Sequence, residues 1–271
     1  MVRTWWLGIS PRRRLLLSGV AVLVTALATV VVVAVSGTTA APRDGLPAQD
    51  RPGTVLLVPG YGGGKGALTQ LAEQIRTKTG REAEVLTLAG DGTGDLLAQV
   101  GVLADAVERA YERGAPSVDV IGYSAGGVVA RLWVAREGGE HQARRVVTLG
   151  APLHGTTLAT AGNALVPGAC PVACQQLAPG SALLRELEAQ PLPAGLPWLS
   201  VWTENDETVT PPESARLDGA VNVAIQDVCP ADQAAHGDLP TDPAVAGLVL
   251  RALGAAPLTA PGPADCAVLS S

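Results

Sequence analysis

Phenylalanine is absent from the 271 residues, and methionine occurs once, tyrosine three times and tryptophan five times. Hydrophobic residues still make up 47% of the chain, so wholesale disorder is excluded and a sizeable core must be packed from aliphatic side chains. Charge is scarce too, at 16% of residues with a net charge of −6. Beyond the first 41 residues no stretch is dense in Lys or Arg. That excludes a phosphate-tracking surface and, with it, nucleic acid as a partner.

Phosphate and dinucleotide signatures are also missing. The glycine-rich segment Val58-Pro59-Gly60-Tyr61-Gly62-Gly63-Gly64 has Pro at position 59, and Lys65 is followed by Gly66 rather than Ser or Thr, so it is not a phosphate loop. No G-x-G-x-x-G turn opens a helix with an acidic residue at the expected distance. No cofactor is therefore expected. Cysteine is limited to Cys170, Cys174, Cys229 and Cys266. Four thiols allow three pairings; Cys170 with Cys174 and Cys229 with Cys266 is the favoured set. The lack of paired C-x-x-C hooks argues against zinc, and no metal is expected.

The N-terminus has the most distinctive composition. Arg3 and Arg12-Arg13-Arg14 precede a stretch that stays uncharged as far as Pro42, with an apolar run over 15–35. A basic flank before an apolar run is an export signal, because the positive side stays cytoplasmic. The run is longer than the usual 7–15-residue core of a signal peptide and close to the roughly 20 residues that span a bilayer. Residues 1–41 thus read as a signal peptide or membrane signal-anchor, with small residues at 34–36 and 38–40 as cleavage positions. Either outcome puts the body outside the cytoplasm, secreted or held at the membrane through 15–35.

Residues 42–53 are a Pro/Gly-rich linker, 54–254 a catalytic domain and 255–271 an irregular tail. Within the domain, short β-branched runs at 55–58, 84–88, 118–122, 145–149, 198–202 and 220–225 alternate with helical patterns at 68–78, 95–113, 125–136 and 242–253. This is the pattern of an α/β fold, a mostly parallel sheet with helices on both faces. Only 151–197 breaks the rhythm. So long an interval is expected to be a cap or lid-like excursion. A monomer is expected.

Gly122-Tyr123-Ser124-Ala125-Gly126 follows the third strand and precedes a helix, the context a G-x-S-x-G nucleophile elbow requires. A serine needs a base, and there are only three histidines. His141 lies in a polar turn and reads as solvated, and His154 reads as structural. His236 alone falls after both the serine and an acidic loop, in the chain order Ser, acid, His. The acid belongs on 203–209, where Glu204, Asp206 and Glu207 compete. The backbone N–H groups of Tyr61 and Ala125 are the natural oxyanion pair.

These segments resemble the α/β-hydrolases, in particular the bacterial class 2-type lipases and esterases. The resemblance rests on 58–63, on the elbow extended to Arg131, on Leu149-Gly150-Ala151-Pro152-Leu153-His154-Gly155-Thr156, on Asp206-x-x-Val209 and on His236-Gly237. The family more often has His where this chain has Pro59. The resemblance implies an α/β-hydrolase fold, Asp206 as the acid and an ester or lipid substrate with an acyl chain. Spacing alone implies a serine hydrolase. An acyltransferase or amidase using the same three residues, or a non-catalytic binding protein on the same fold, stays open.

Overall fold

Four of the six strands among the described residues are short runs with most or all of their side chains buried, which a sheet covered by helices on both faces requires. The computed structural model describes residues 45–165 and 170–271, with the isolated Arg12; the apolar run 15–35 and its cleavage positions lie outside the described residues. Strands β1 (Thr54–Val58), β2 (Ala83–Val85), β3 (Val118–Tyr123), β4 (Ala143–Leu149), β5 (Trp198–Trp202) and β6 (Val221–Ala224) form one sheet in the order β2-β1-β3-β4-β5-β6, and every pair is parallel. Among the described residues, no helix is long and apolar enough to cross a membrane.

The period-two alternation of each strand divides the core in two. On one face, Leu56, Val58 and Val120 pack under α2 (Leu96–Glu112) and α3 (Ala125–Glu137). On the other, Val55, Leu57, Ile121 and Val147 pack under α1 (Gly66–Thr79) and the last long helix, Pro243–Ala252. Helix boundaries follow local chemistry. The Asp95 carboxylate caps α2 by accepting the Leu97 N–H at 3.0 Å, and Asp242 does the same for the final long helix through the Val245 N–H. Left-handed Gly80 ends α1.

Three sequence expectations change here. The second strand runs over Ala83–Val85 rather than 84–88: the Leu86 N–H still donates to the Leu57 carbonyl at 2.9 Å, but pairing ends there and Leu86 and Leu88 are buried against α2. The fourth strand begins at Ala143 rather than 145, because Arg144 and Arg145 are inside the protein, at 0% and 1% exposure. The 151–197 interval, expected as a cap or lid-like excursion, has helices of its own. It holds α4 (Thr157–Leu165), α5 (Val172–Gln176) and α6 (Ala182–Glu188), with Cys170, just before α5, joined to Cys174 within it. In chain order α7 (Ile225–Val228), α8 (Pro243–Ala252) and α9 (Cys266–Leu269) complete the α-helices among the described residues. The tail is less irregular than its composition suggests. Its α9 places Leu269 so close to α8 that a Cβ on Gly247 would lie 2.1 Å from the Leu269 carbonyl oxygen, and Cys266 is bonded to Cys229.

Arg144, fully buried, and Arg81, largely buried, share one carboxylate. Asp119, on β3, accepts from Arg144 Nε at 3.0 Å, from Arg144 Nη2 at 2.5 Å and from Arg81 Nη2 at 2.5 Å. Other donors of these arginines and of Arg145 reach carbonyls at the end of α8 (Ala252 and Leu253) and just beyond it (Gly254 and Ala256), and the rest go to the Gly53 carbonyl and to Gln49. Cations at a helix C-terminus meet its negative end, so the cluster clamps α8 to the amino ends of β3 and β4. Burial lowers the pKa of Arg81, and Asp119 opposes that shift. Asp119→Ala would leave a fully buried guanidinium without its counter-charge and is expected to cost about 3–5 kcal/mol in urea denaturation. A loss below about 1 kcal/mol would contradict this account of the clamp.

Candidate active site

Ser124 is the single residue between the end of β3 and the start of α3. Its backbone has φ 52° and ψ −126°, and among the described residues it is the only non-glycine with positive φ. That strain is held from both sides: the Ser124 N–H donates to the Leu149 carbonyl at 2.8 Å, and its own carbonyl accepts the Gly127 N–H at 2.9 Å. The reversal brings α3 hard against the sheet. A Cβ on Gly122 would lie 2.5 Å from the Gly126 carbonyl oxygen, one on Gly126 would lie 2.2 Å from the Val58 carbonyl oxygen, and one on Gly127 would lie 2.4 Å from Ala151 Cβ. Side chains at these positions would push the turn open.

The structure brings Ser124, His236 and Asp206 together across more than one hundred residues of chain. His236 Nε2 lies 3.0 Å from Ser124 Oγ, and His236 Nδ1 lies 2.7 Å from Asp206 Oδ2. A carboxylate only accepts, so Nδ1 carries the proton, and the free Nε2 lone pair accepts from the serine hydroxyl. All three residues are buried, and Asp206 is only 4% exposed. Its other oxygen accepts the N–H groups of Thr208 at 2.9 Å and Val209 at 2.7 Å, which fixes the carboxylate plane. Glu204 and Glu207 are exposed, and it is Asp206 that reaches the ring. His141 is exposed and lies 3.8 Å from Glu140. His154 contacts Glu188 at 3.0 Å and the Arg216 carbonyl at 3.1 Å.

Neighbouring loops position these groups. Thr203 Oγ donates to the Ala234 carbonyl at 2.6 Å, and Gln226 bonds Thr203 Oγ and the Asp232 carbonyl, tying the acid loop to the histidine loop. Thr156 Oγ donates to the Thr208 carbonyl at 2.7 Å and accepts the Thr210 N–H at 3.1 Å, so the Gly155-Thr156 segment buttresses the acid loop from the other side. Gly150 has φ 54°, and a Cβ there would come within 3.0 Å of His236 Nδ1.

Over the serine sits the turn after β1. A Cβ on Gly60 would lie 2.9 Å from Ser124 Cβ. Tyr61, 46% exposed, opens the following 3-10 turn, Tyr61–Gly63, and Ala125 is the first residue of α3. Both backbone N–H groups therefore stand at the free starts of helical segments. Among the described residues, no group of three or more His, Cys, Asp or Glu side chains is arranged to hold a metal ion.

Tyr123 is a neighbour that sequence reasoning missed. Its hydroxyl donates to the His236 carbonyl at 3.2 Å, and its ring centroid lies 5.2 Å from that of His236. Burial first, then the charges of Asp206 and Asp238, push its pKa up to about 12, so it stays a neutral donor at ordinary pH. The only sequence signal was its position beside the serine in the elbow.

Several known proteins are similar to this chain. The family model described as a PGAP1-like alpha/beta domain matches residues 52–165, a segment that contains Ser124 and ends before Asp206 and His236. No curated protein matches the sequence. Among solved structures, lipase B of Aspergillus fumigatus superposes with a TM-score of 0.65 at 19% identity, covering 83% of this chain and 59% of that one. Lipase BlEst2 of Bacillus licheniformis in its mature form gives 0.53 at 21% identity, over 67% of this chain and 86% of its own. Its propeptide form gives 0.55 at 19%, over 84% and 52%. This chain thus spans about three-fifths of the length of the Aspergillus lipase. At these identities the likeness is one of fold.

Tyr123→Phe keeps the ring and removes one donor to the backbone of His236. A net hydrogen bond is worth about 0.5–1.5 kcal/mol, so kcat/KM on an ester should fall roughly two- to tenfold with the fold retained. An unchanged kcat/KM would mean that the hydroxyl does not hold His236 in place.

Proposed function

From the premise that this chain has the α/β-hydrolase fold, we propose that it is a serine hydrolase of carboxylic esters, a lipase or esterase that works through an acyl-enzyme on Ser124. The observation that carries the reading is the unbroken hydrogen-bond chain from Ser124 Oγ through both nitrogens of His236 to Asp206. The lipases among the solved structures favour an ester with an acyl chain as the substrate class.

In this reading His236 Nε2 takes the proton as Ser124 Oγ attacks the ester carbonyl. Asp206 stabilises the imidazolium that forms, and the oxyanion lies between the N–H groups of Tyr61 and Ala125. The tetrahedral intermediate collapses, His236 returns its proton to the leaving alcohol, and an acyl group remains on Ser124. Water, deprotonated by His236, then releases the acid and restores the serine. No cofactor is required.

The body is proposed to act outside the cytoplasm. Two disulfides form and persist in an oxidising compartment, and the basic cluster before the apolar run 15–35 is suited to export.

The test is a panel of nitrophenyl esters of graded chain length. Ser124→Ala should lower kcat by about 10⁴–10⁶ without unfolding the chain, and Asp206→Asn by about 10³–10⁴. Activity within about tenfold of wild type in Ser124→Ala would remove Ser124 from the mechanism.

A further inference from the structure

Two helical turns beyond Ser124 on α3 lies a charge that the proposed chemistry does not use. Arg131 is 2% exposed. Its Nη2 donates to the Gln190 carbonyl, while the buried Nη1 has no hydrogen-bond partner among the described residues. Burial lowers its pKa, and no carboxylate offsets the shift. This contrasts with Arg81 and Arg144, which share Asp119. A buried cation with an unfilled donor and no counter-ion is a costly arrangement and calls for an anion to complete it.

The same residue lines a cleft of about 380 Å³ between α3, the end of α6 and the segment before β6. That volume falls in the range of small-molecule sites, about 300–1,000 Å³. None of Ser124, Asp206 and His236 lines it, so it is separate from the site above. Its wall is largely aliphatic, from Leu153, Leu187, Leu192 and Leu217. Two carboxylates also border it. Glu188 is engaged by His154 at 3.0 Å, and Asp218 is exposed, where water screens it. Coulomb interactions are several times stronger at a buried site than across water, so Arg131 dominates the local preference.

We propose that this cleft is a binding site for an aliphatic carboxylate, its head group on Arg131 and its chain along the four leucines. Charge-assisted contact supplies the head-group preference, and burial of methylenes supplies the rest. A small hydrated anion would lose its shell with no chain to bury. The proposal does not depend on what Ser124 does.

Isothermal titration of the full chain with decanoate below its micellar concentration, with decanol and with acetate, tests it. Decanoate should bind at least about tenfold more tightly than either control. Arg131→Met should erase the preference over decanol. Because that variant alters a buried residue, Leu192→Trp, which fills the cleft from a half-buried loop position, provides the second arm and should weaken decanoate by at least about tenfold. Absence of decanoate binding, equal binding of decanol or acetate, or decanoate binding undiminished by Leu192→Trp would each overturn the proposal.

Discussion

The molecule is organised around one strained residue. Turning a parallel strand directly into a helix with no spacer forces Ser124 into a backbone conformation that side chains avoid, and its neighbours must yield space for it. Gly122, Gly126 and Gly127 yield it by lacking a Cβ where the strand, the β1 carbonyls and Ala151 would otherwise collide. The gain is geometric. A hydroxyl on a sharp turn is held clear of the sheet, under the start of a helix and beside a second turn at Gly60, with little freedom left to lose.

Everything else at that end of the sheet extends from a carboxyl end of a strand. The Gly60 turn follows β1, Ser124 follows β3, Gly150 follows β4, and Asp206 follows β5. His236 lies on the loop beyond β6 and α7. The loops are bound to one another by Thr156, Thr203 and Gln226, so serine, imidazole and carboxylate are fixed by short polar contacts rather than by packing alone. At the opposite end of the sheet Asp119 and three arginines clamp α8. Two of the buried polar clusters of the interior thus sit at opposite ends of the strands.

Much of this was legible in residue order, and the exceptions have physical causes. Strand β5 was readable to the residue because all five side chains are buried, and the elbow was readable because its glycines are sterically required. The extension of β4 to Ala143 was hidden because Arg144 and Arg145 look like a boundary until Asp119 and the α8 carbonyls are found, more than a hundred residues away in the latter case. The helices of the 151–197 interval were obscured by its Pro and Gly content. Periodicity was silent on which of three neighbouring carboxylates turns inward. Asp206 does so because its own loop folds back to offer two N–H groups to one of its oxygens. Nothing in the chain marked Arg131 as unpaired, since the absence of a partner is a property of the fold.

The most direct measurement of the central claim is covalent. A fluorophosphonate reacts only with a serine that a neighbouring base can deprotonate, and peptide mass mapping locates the adduct. Treatment of the intact chain should place one phosphonate on the peptide containing Ser124, and His236→Ala should suppress it while leaving the chain folded. An adduct on another serine, or no adduct in a chain that still hydrolyses esters, would contradict the account.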